Sequence, residues 1–106
     1  NLKQALLDAS ELDTMLIMRS INATHRVLST AAAKKCAEIE TKGAELPEIL
    51  DIVSGEKARQ MYDQGDLDAG IISCGQGVGL IHDIPSVQEL FDKIIKQATD
   101  IYSEWS

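Results

Sequence analysis

The sequence predicts a mainly α-helical fold with at most one short strand, and three observations carry that expectation. Apolar residues recur at three- and four-residue spacing along most of the 106 residues. The periodic segments are separated by residues that stop or start helices, namely Gly43, Pro47, Ser54, Gly65 and the pair Ser86 and Glu89. The hydrophobic fraction, 44%, is built from Ala, Ile and Leu with only one Trp, two Tyr and one Phe, which suits helix packing better than a β-sandwich. A chain of this length makes one compact unit.

Taken in order, Leu2, Ala5, Leu6, Ala9 and Leu12 form one apolar stripe and predict a first helix over Leu2 to Leu12. The segment Asp13 to Met18, DTMLIM, contains a continuous apolar run flanked by polar residues and reads as a short buried strand in preference to an extension of the helix. Arg19 to Thr24 is a polar connector in which Asn22 or Thr24 is placed to cap the next helix. That helix is long and runs to about Lys42, with Val27, Leu28, Ala31, Ala32, Cys36 and Ile39 facing the core and His25 near its start. Gly43 supplies its left-handed end.

Pro47 fits a first helical turn whose apolar face is Ile49, Leu50 and Val53. Ser54 caps another helix, containing Ala58, Met61 and Tyr62 and ending at Gly65. After Pro85, Ser86 and Glu89 form a capping box for the last helix, whose inner face is Val87, Leu90, Phe91, Ile94, Ile95 and Ala98. No repeat or linker divides the chain.

The stretch Gly65 to Pro85 concentrates five glycines among small and apolar residues, so its backbone is built for close approach. One reading is a helix with Gly70, Ser73, Cys74 and Gly77 on a small-residue face packed against another segment. The other is a loop in which Gly75, Gly77 and Gly79 cradle a phosphate, although G-x-G-x-G is not the dinucleotide fingerprint. The helix is the expected form. Gln76 is expected to be buried there, and its amide then requires a ligand or backbone partner.

The remaining titratable residues give no catalytic set. His25 and the pair His82 and Asp83 read as surface or terminus residues, Asp66 and Asp68 as helix-entry carboxylates, and Arg19 as a partner for one of the 17 acidic residues. The net charge of −7 disfavours nucleic acid and anionic lipid as partners. No apolar run reaches the roughly 20 residues a membrane span needs, and a cytoplasmic setting is expected. Cys36 and Cys74 form no C-x-x-C pair and read as two buried thiols, with no metal site implied. The chain starts at Asn1 in what reads as mid-helix, so an excised or processed piece is expected.

Three segments carry a family resemblance: KQALLDA near the start, DTMLIMRSINATHRVL at Asp13 to Leu28, and YDQGDLDAGIISCGQGVGLIHDIPS at Tyr62 to Ser86. Within them Arg19, Ser20, Asn22 and Arg26, the G-D-x-D-x-G of Gly65 to Gly70, and the G-Q-x-x-G-L-I of Gly75 to Ile81 are the distinctive residues. Together they resemble the C-terminal part of the nitronate monooxygenase (2-nitropropane dioxygenase) family, which also includes FMN-dependent type II enoyl-ACP reductases.

The resemblance implies a parent TIM barrel that holds FMN, with a helical cap over its active site. Residues 1–62 would be the cap-like region and 63–106 the flavin-proximal segment and terminal helix, together one compact unit. Ser73, Gly75 and Gln76 would contact flavin or phosphate, and Gly79 would serve close packing. The parent would oxidise alkyl nitronates with oxygen, or alternatively reduce an enoyl-ACP with NAD(P)H. The run DTMLIMRS leans towards the former. The barrel strands, the main phosphate site and the catalytic His of the family lie outside this chain, and 106 residues cannot close a barrel of about 250. The chain alone is therefore expected to be inactive, partnered by the remainder of the barrel or by self-association through its uncovered face. An acidic helical interaction module without cofactor is the competing reading.

Overall fold

The computed structural model describes residues 1–106. Helix α1 (Leu2–Asp8) ends earlier than its apolar spacing predicts, because Ser10 accepts from the amide of Leu12 and Asp13 accepts from the amide of Ser10. Such local side-chain bonds compete with helical ones. They fold Glu11–Asp13 into a 3₁₀ turn and leave Ala9 extended.

Strand β1 (Thr14–Ile17) lies where the apolar run predicts it, but it has a partner that the helical reading of His25 to Leu28 misses. Those four residues are strand β2 (His25–Leu28), paired antiparallel with β1 in the register Thr14 to Leu28 and Ile17 to His25. Period-2 alternation puts Val27 beside Ile17, both fully buried. β2 is itself flanked on its other edge. Leu28 donates to the carbonyl of Ile72 at 2.8 Å, Cys74 donates to that of Arg26 at 3.3 Å, and Val27 bridges Ser73. The long helix therefore starts later, as α2 (Ala31–Glu40), with Thr30 rather than Asn22 or Thr24 accepting from a first-turn amide, that of Ala33. Asn22 instead adopts a left-handed φ of 59° in the hairpin connection.

Met18 shares that left-handed conformation, with φ 60°, a geometry costing a non-glycine residue roughly 1–2 kcal/mol. Glu40 offsets the cost from the end of α2. Its carboxylate accepts from the Met18 amide at 2.9 Å, the Ser20 amide at 3.3 Å and the Ser20 hydroxyl at 2.9 Å. Glu40→Ala is expected to lower the unfolding free energy by about 1–3 kcal/mol, measured in urea, since hydrogen bonds to a charged group are lost together. Glu40→Gln should recover part of it.

Helix α3 (Leu46–Val53) holds Pro47 in its first turn, and α4 (Gly55–Gln64) begins at the Ser54 cap and ends at Gly65, whose φ is 71°. Gly43 is left-handed as expected, with φ 76°. Asp66 accepts from the Asp68 amide, and Asp68 reaches back to accept from Ala31 at the start of α2, 2.9 Å away. The core is two clusters. Ile17, Val27, Ala33, Cys36, Ala44 and Ile49 join the hairpin to α2 and α3, while Leu28, Met61 and Ile72 join β2 to α4 and the 72–74 segment. Burial, and secondarily the Glu40 carboxylate, pushes the Cys36 thiol up, so it is a poor nucleophile at neutral pH. Cys74 is only half-buried, not fully as expected, and burial raises its thiol against the opposing effect of Arg26.

The stretch after Gly65 is not a helix. It consists of a 3₁₀ turn at Leu67–Ala69, the extended 72–74 segment, and a second 3₁₀ turn at Gln76–Leu80. Packing requires this, because a helix would not present Ile72 and Cys74 backbone to the edge of β2. The last helix, α5 (Val87–Trp105), has its Ser86 and Glu89 capping box, but its inner face is not buried. Leu90, Phe91, Ile94 and Ile95 are all exposed, and the stripe continues through Ile101, Tyr102 and Trp105. Against α1 and the 80–85 segment it leaves an apolar groove of about 750 Å³. No helix is long and apolar enough to cross a membrane.

Candidate functional site

Pairing of the 72–74 segment with β2 builds a small polar site near the end of the hairpin where the 18–24 connection enters β2. Ser73, opposite Val27, presents its hydroxyl to the ring of His25, with Oγ and Nε2 2.7 Å apart. These residues are 48 positions apart in the chain, and only the added strand brings them together. On the other side of β2, Arg26 donates from Nη1 to the Thr14 hydroxyl at 2.8 Å, which ties it across the hairpin. It has no carboxylate within 4.0 Å.

The chain leaves this strand directly into the turn Gly75, Gln76, Gly77. Gly75 caps the 3₁₀ turn with no side chain, and none of the turn and cap hydrogen bonds is donated by the amides of Gly75, Gln76 or Gly77. Neither Gly75 nor Gly77 has a positive φ. A Cβ built at Gly77 would meet nothing within 4 Å, and one at Gly75 only the Gly77 nitrogen at 3.9 Å. Neither glycine is needed for conformation or for packing within this chain, so what they leave bare is an approach to their backbone from outside. Gly70 and Gly79 differ. A Cβ at Gly79 would lie 2.8 Å from a carboxylate oxygen and 3.0 Å from the amide nitrogen of Glu11, which is the close packing expected of it.

Ser73, Gly75 and Gln76 thus lie together on one exposed segment. Gln76 is not buried, contrary to the expectation from its apolar neighbours in sequence. The 3₁₀ turn buries Val78 and turns the amide outward, where it carries no burial cost and makes no hydrogen bond in the chain. Arg19 is exposed and has no carboxylate within 4.0 Å, so the ion pair expected for it does not form. His82 is exposed, and the Asp83 carboxylate lies 3.9 Å from Lys93 instead. Sequence reasoning misses His25 as a site residue. The one available signal is its two-residue spacing from Val27, which a helical reading of the segment hides.

The site presents backbone amides, the Gln76 amide and the Ser73 hydroxyl, each able to donate a hydrogen bond. No cluster of three His, Cys, Asp or Glu side chains suited to a metal ion occurs.

Comparison with solved structures gives FabK from Thermotoga maritima at a TM-score of 0.81 and 26% identity, covering 96% of this chain and 32% of that one. A methionine-to-alanine mutant of FabK from Thermotoga maritima matches at a TM-score of 0.69 and 25% identity, over 96% of this chain and 29% of the other. The chain therefore spans about a third of the length of the structures it matches. The family model described as nitronate monooxygenase matches residues 1–97, which takes in the hairpin, the 72–74 segment and the glycine turn. On that match over nearly its whole length, the chain belongs to the nitronate monooxygenase family.

Proposed function

We propose that this chain is the C-terminal part of an FMN-dependent oxidoreductase that oxidises alkyl nitronates with oxygen, and that its glycine turn completes the flavin pocket. The family match over residues 1–97 carries the reading. The donor-rich turn fits the group that membership implies, since phosphate oxygens and flavin carbonyls are acceptors. Ser73, Gly75 and Gln76 are the residues assigned to hold it, through a hydroxyl, a backbone amide and a side-chain amide. The bound flavin would supply the redox chemistry, taking electrons from the nitronate and passing them to oxygen.

Residues 1–62 are assigned to the cap-like region and 63–106 to the flavin-proximal segment and terminal helix. The exposed apolar face of α5 is assigned to the remainder of the barrel, with self-association as its fate in the isolated chain. Without that remainder the chain is expected to be inactive. Both cysteines are free thiols, which favours the cytoplasm. A second reading, an NAD(P)H-dependent enoyl-ACP reductase of the same family, is favoured by the likeness to FabK.

Titration of FMN with the chain, followed by flavin fluorescence, tests the assignment. Saturable binding is expected, weakened about five- to tenfold by Gln76→Ala, the loss of one hydrogen bond. An absence of saturable binding, or equal binding by the variant, would count against a flavin contact at this turn.

A further inference from the structure

We propose that His25 is a positioning residue that sets the hydrogen-bond polarity of Ser73, and thereby decides when the site accepts an acceptor-only oxygen such as that of a phosphate or flavin carbonyl. This rests on the flavin reading above and adds a residue and a regulation to it.

A serine hydroxyl has one proton and two lone pairs. At 2.7 Å, one proton lies between Ser73 Oγ and His25 Nε2. If Nε2 carries it, the hydroxyl accepts from the ring and its own O–H is free to donate to a ligand. If Nε2 is bare, the hydroxyl donates to the ring, and a ligand meets lone pairs only. A phosphate or carbonyl oxygen therefore binds the first state and not the second.

The surroundings of the ring leave this choice open. Its cross-strand neighbour on β1 is Ile17, which is apolar and fully buried. The 72–74 segment offers Ser73, followed by the half-buried thiol of Cys74. The adjacent cation, Arg26, is committed to Thr14. No carboxylate lies within 4.0 Å of the ring, and Ser73 is its one hydrogen-bond partner in the chain. A histidine fixed in one tautomer usually has a carboxylate or carbonyl on its other nitrogen. His25 has neither, so protonation or ligand binding selects its state. Protonation fixes the donor state and adds a positive charge beside the acceptor.

The test is FMN binding between about pH 5 and 8, by flavin fluorescence, for the wild-type chain, Ser73→Ala, His25→Phe, His25→Gln and the Ser73→Ala/His25→Phe pair. Circular dichroism checks that each is folded. Ser73→Ala supplies the baseline for the titration of the FMN phosphate itself. Relative to it, wild type is expected to gain about tenfold in affinity towards the acid end. His25→Phe should lose that gain, and the pair should show the pH slope of Ser73→Ala with no further change. His25→Gln, which donates without titrating, should keep affinity but show only the baseline slope. Riboflavin, lacking the phosphate, separates the two acceptors: retention of the gain assigns it to the flavin ring, its loss to the phosphate. Independently of any ligand, the ¹⁵N resonance of Nε2 in the free chain should move on Ser73→Ala.

Saturable binding with one pH slope for all variants would overturn the role of His25 and leave the flavin reading intact. No binding by wild type would remove both. An Nε2 resonance unmoved by Ser73→Ala would overturn the His25 role on its own.

Discussion

Ile17→Ala is expected to lower the unfolding free energy by about 2–5 kcal/mol, the range for truncating a fully buried isoleucine. Ile17 ends β1 with no exposed surface and joins Val27, Cys36 and Ile49 in the larger cluster. Deleting its outer carbons both loses their transfer energy and leaves a cavity between hairpin and helices that cannot collapse without moving β2. Only 13 of the 106 residues are buried, and the smaller cluster of Leu28, Met61 and Ile72 does not include Ile17, so little else offsets the loss. At roughly 4–8 °C per kcal/mol for a domain of about this size, the midpoint of thermal unfolding should fall by at least 8 °C. Leu12→Ala, at a residue 84% exposed, should leave it nearly unchanged. Equal effects of the two substitutions would show that the hairpin does not pack on α2 and α3 as described.

Gly70→Ala is expected to cost about 1–3 kcal/mol, and also to loosen the site, whereas Gly77→Ala should cost little stability. Gly70 is buried and Gly77 exposed, and they differ in what faces them. A Cβ at Gly70 would sit 3.1 Å from the carbonyl oxygen of Lys57 and 3.3 Å from the Met61 Cβ, and the first of these is backbone that cannot swing away. Gly70 has φ −147°, which any residue adopts, so the cost is one of packing alone. Relief requires the 70–74 segment to lift from α4, which pulls Ser73 from β2 and stretches its bond to His25. Gly77 faces open space, so its alanine variant should unfold at the wild-type urea concentration while binding FMN more weakly. If both variants lost stability equally, the claim that Gly77 is kept bare for an outside partner would be wrong.

What can be read in the sequence is local. Ser54, Gly65, Gly43 and the Ser86 and Glu89 box act within a turn or two of themselves, and each ends or begins a helix where its chemistry places it. β1 is visible because its apolar run is short and bounded. β2 is not, since His25 to Leu28 runs into the alanines of α2 and its strand character comes from β1 on one edge and Ile72 to Cys74 on the other. The same long-range pairing prevents the glycine-rich stretch from being a helix, and it alone creates the contact of His25 with Ser73. Gln76 stands out through its setting, but its exposure depends on which way the 3₁₀ turn rolls Val78 inward. For α5, periodicity identifies an apolar face correctly and does not say what covers it.

The central claim is that the turn from Gly75 to Gly77 faces a flavin. The most direct measurement is the amide NMR spectrum of the ¹⁵N-labelled chain during addition of FMN. Saturable shifts concentrated at Ser73, Gly75, Gln76 and Gly77, with Gly43 and Gly55 unmoved, are the expected result. Shifts confined to the apolar face of α5, or none at any residue, would contradict it.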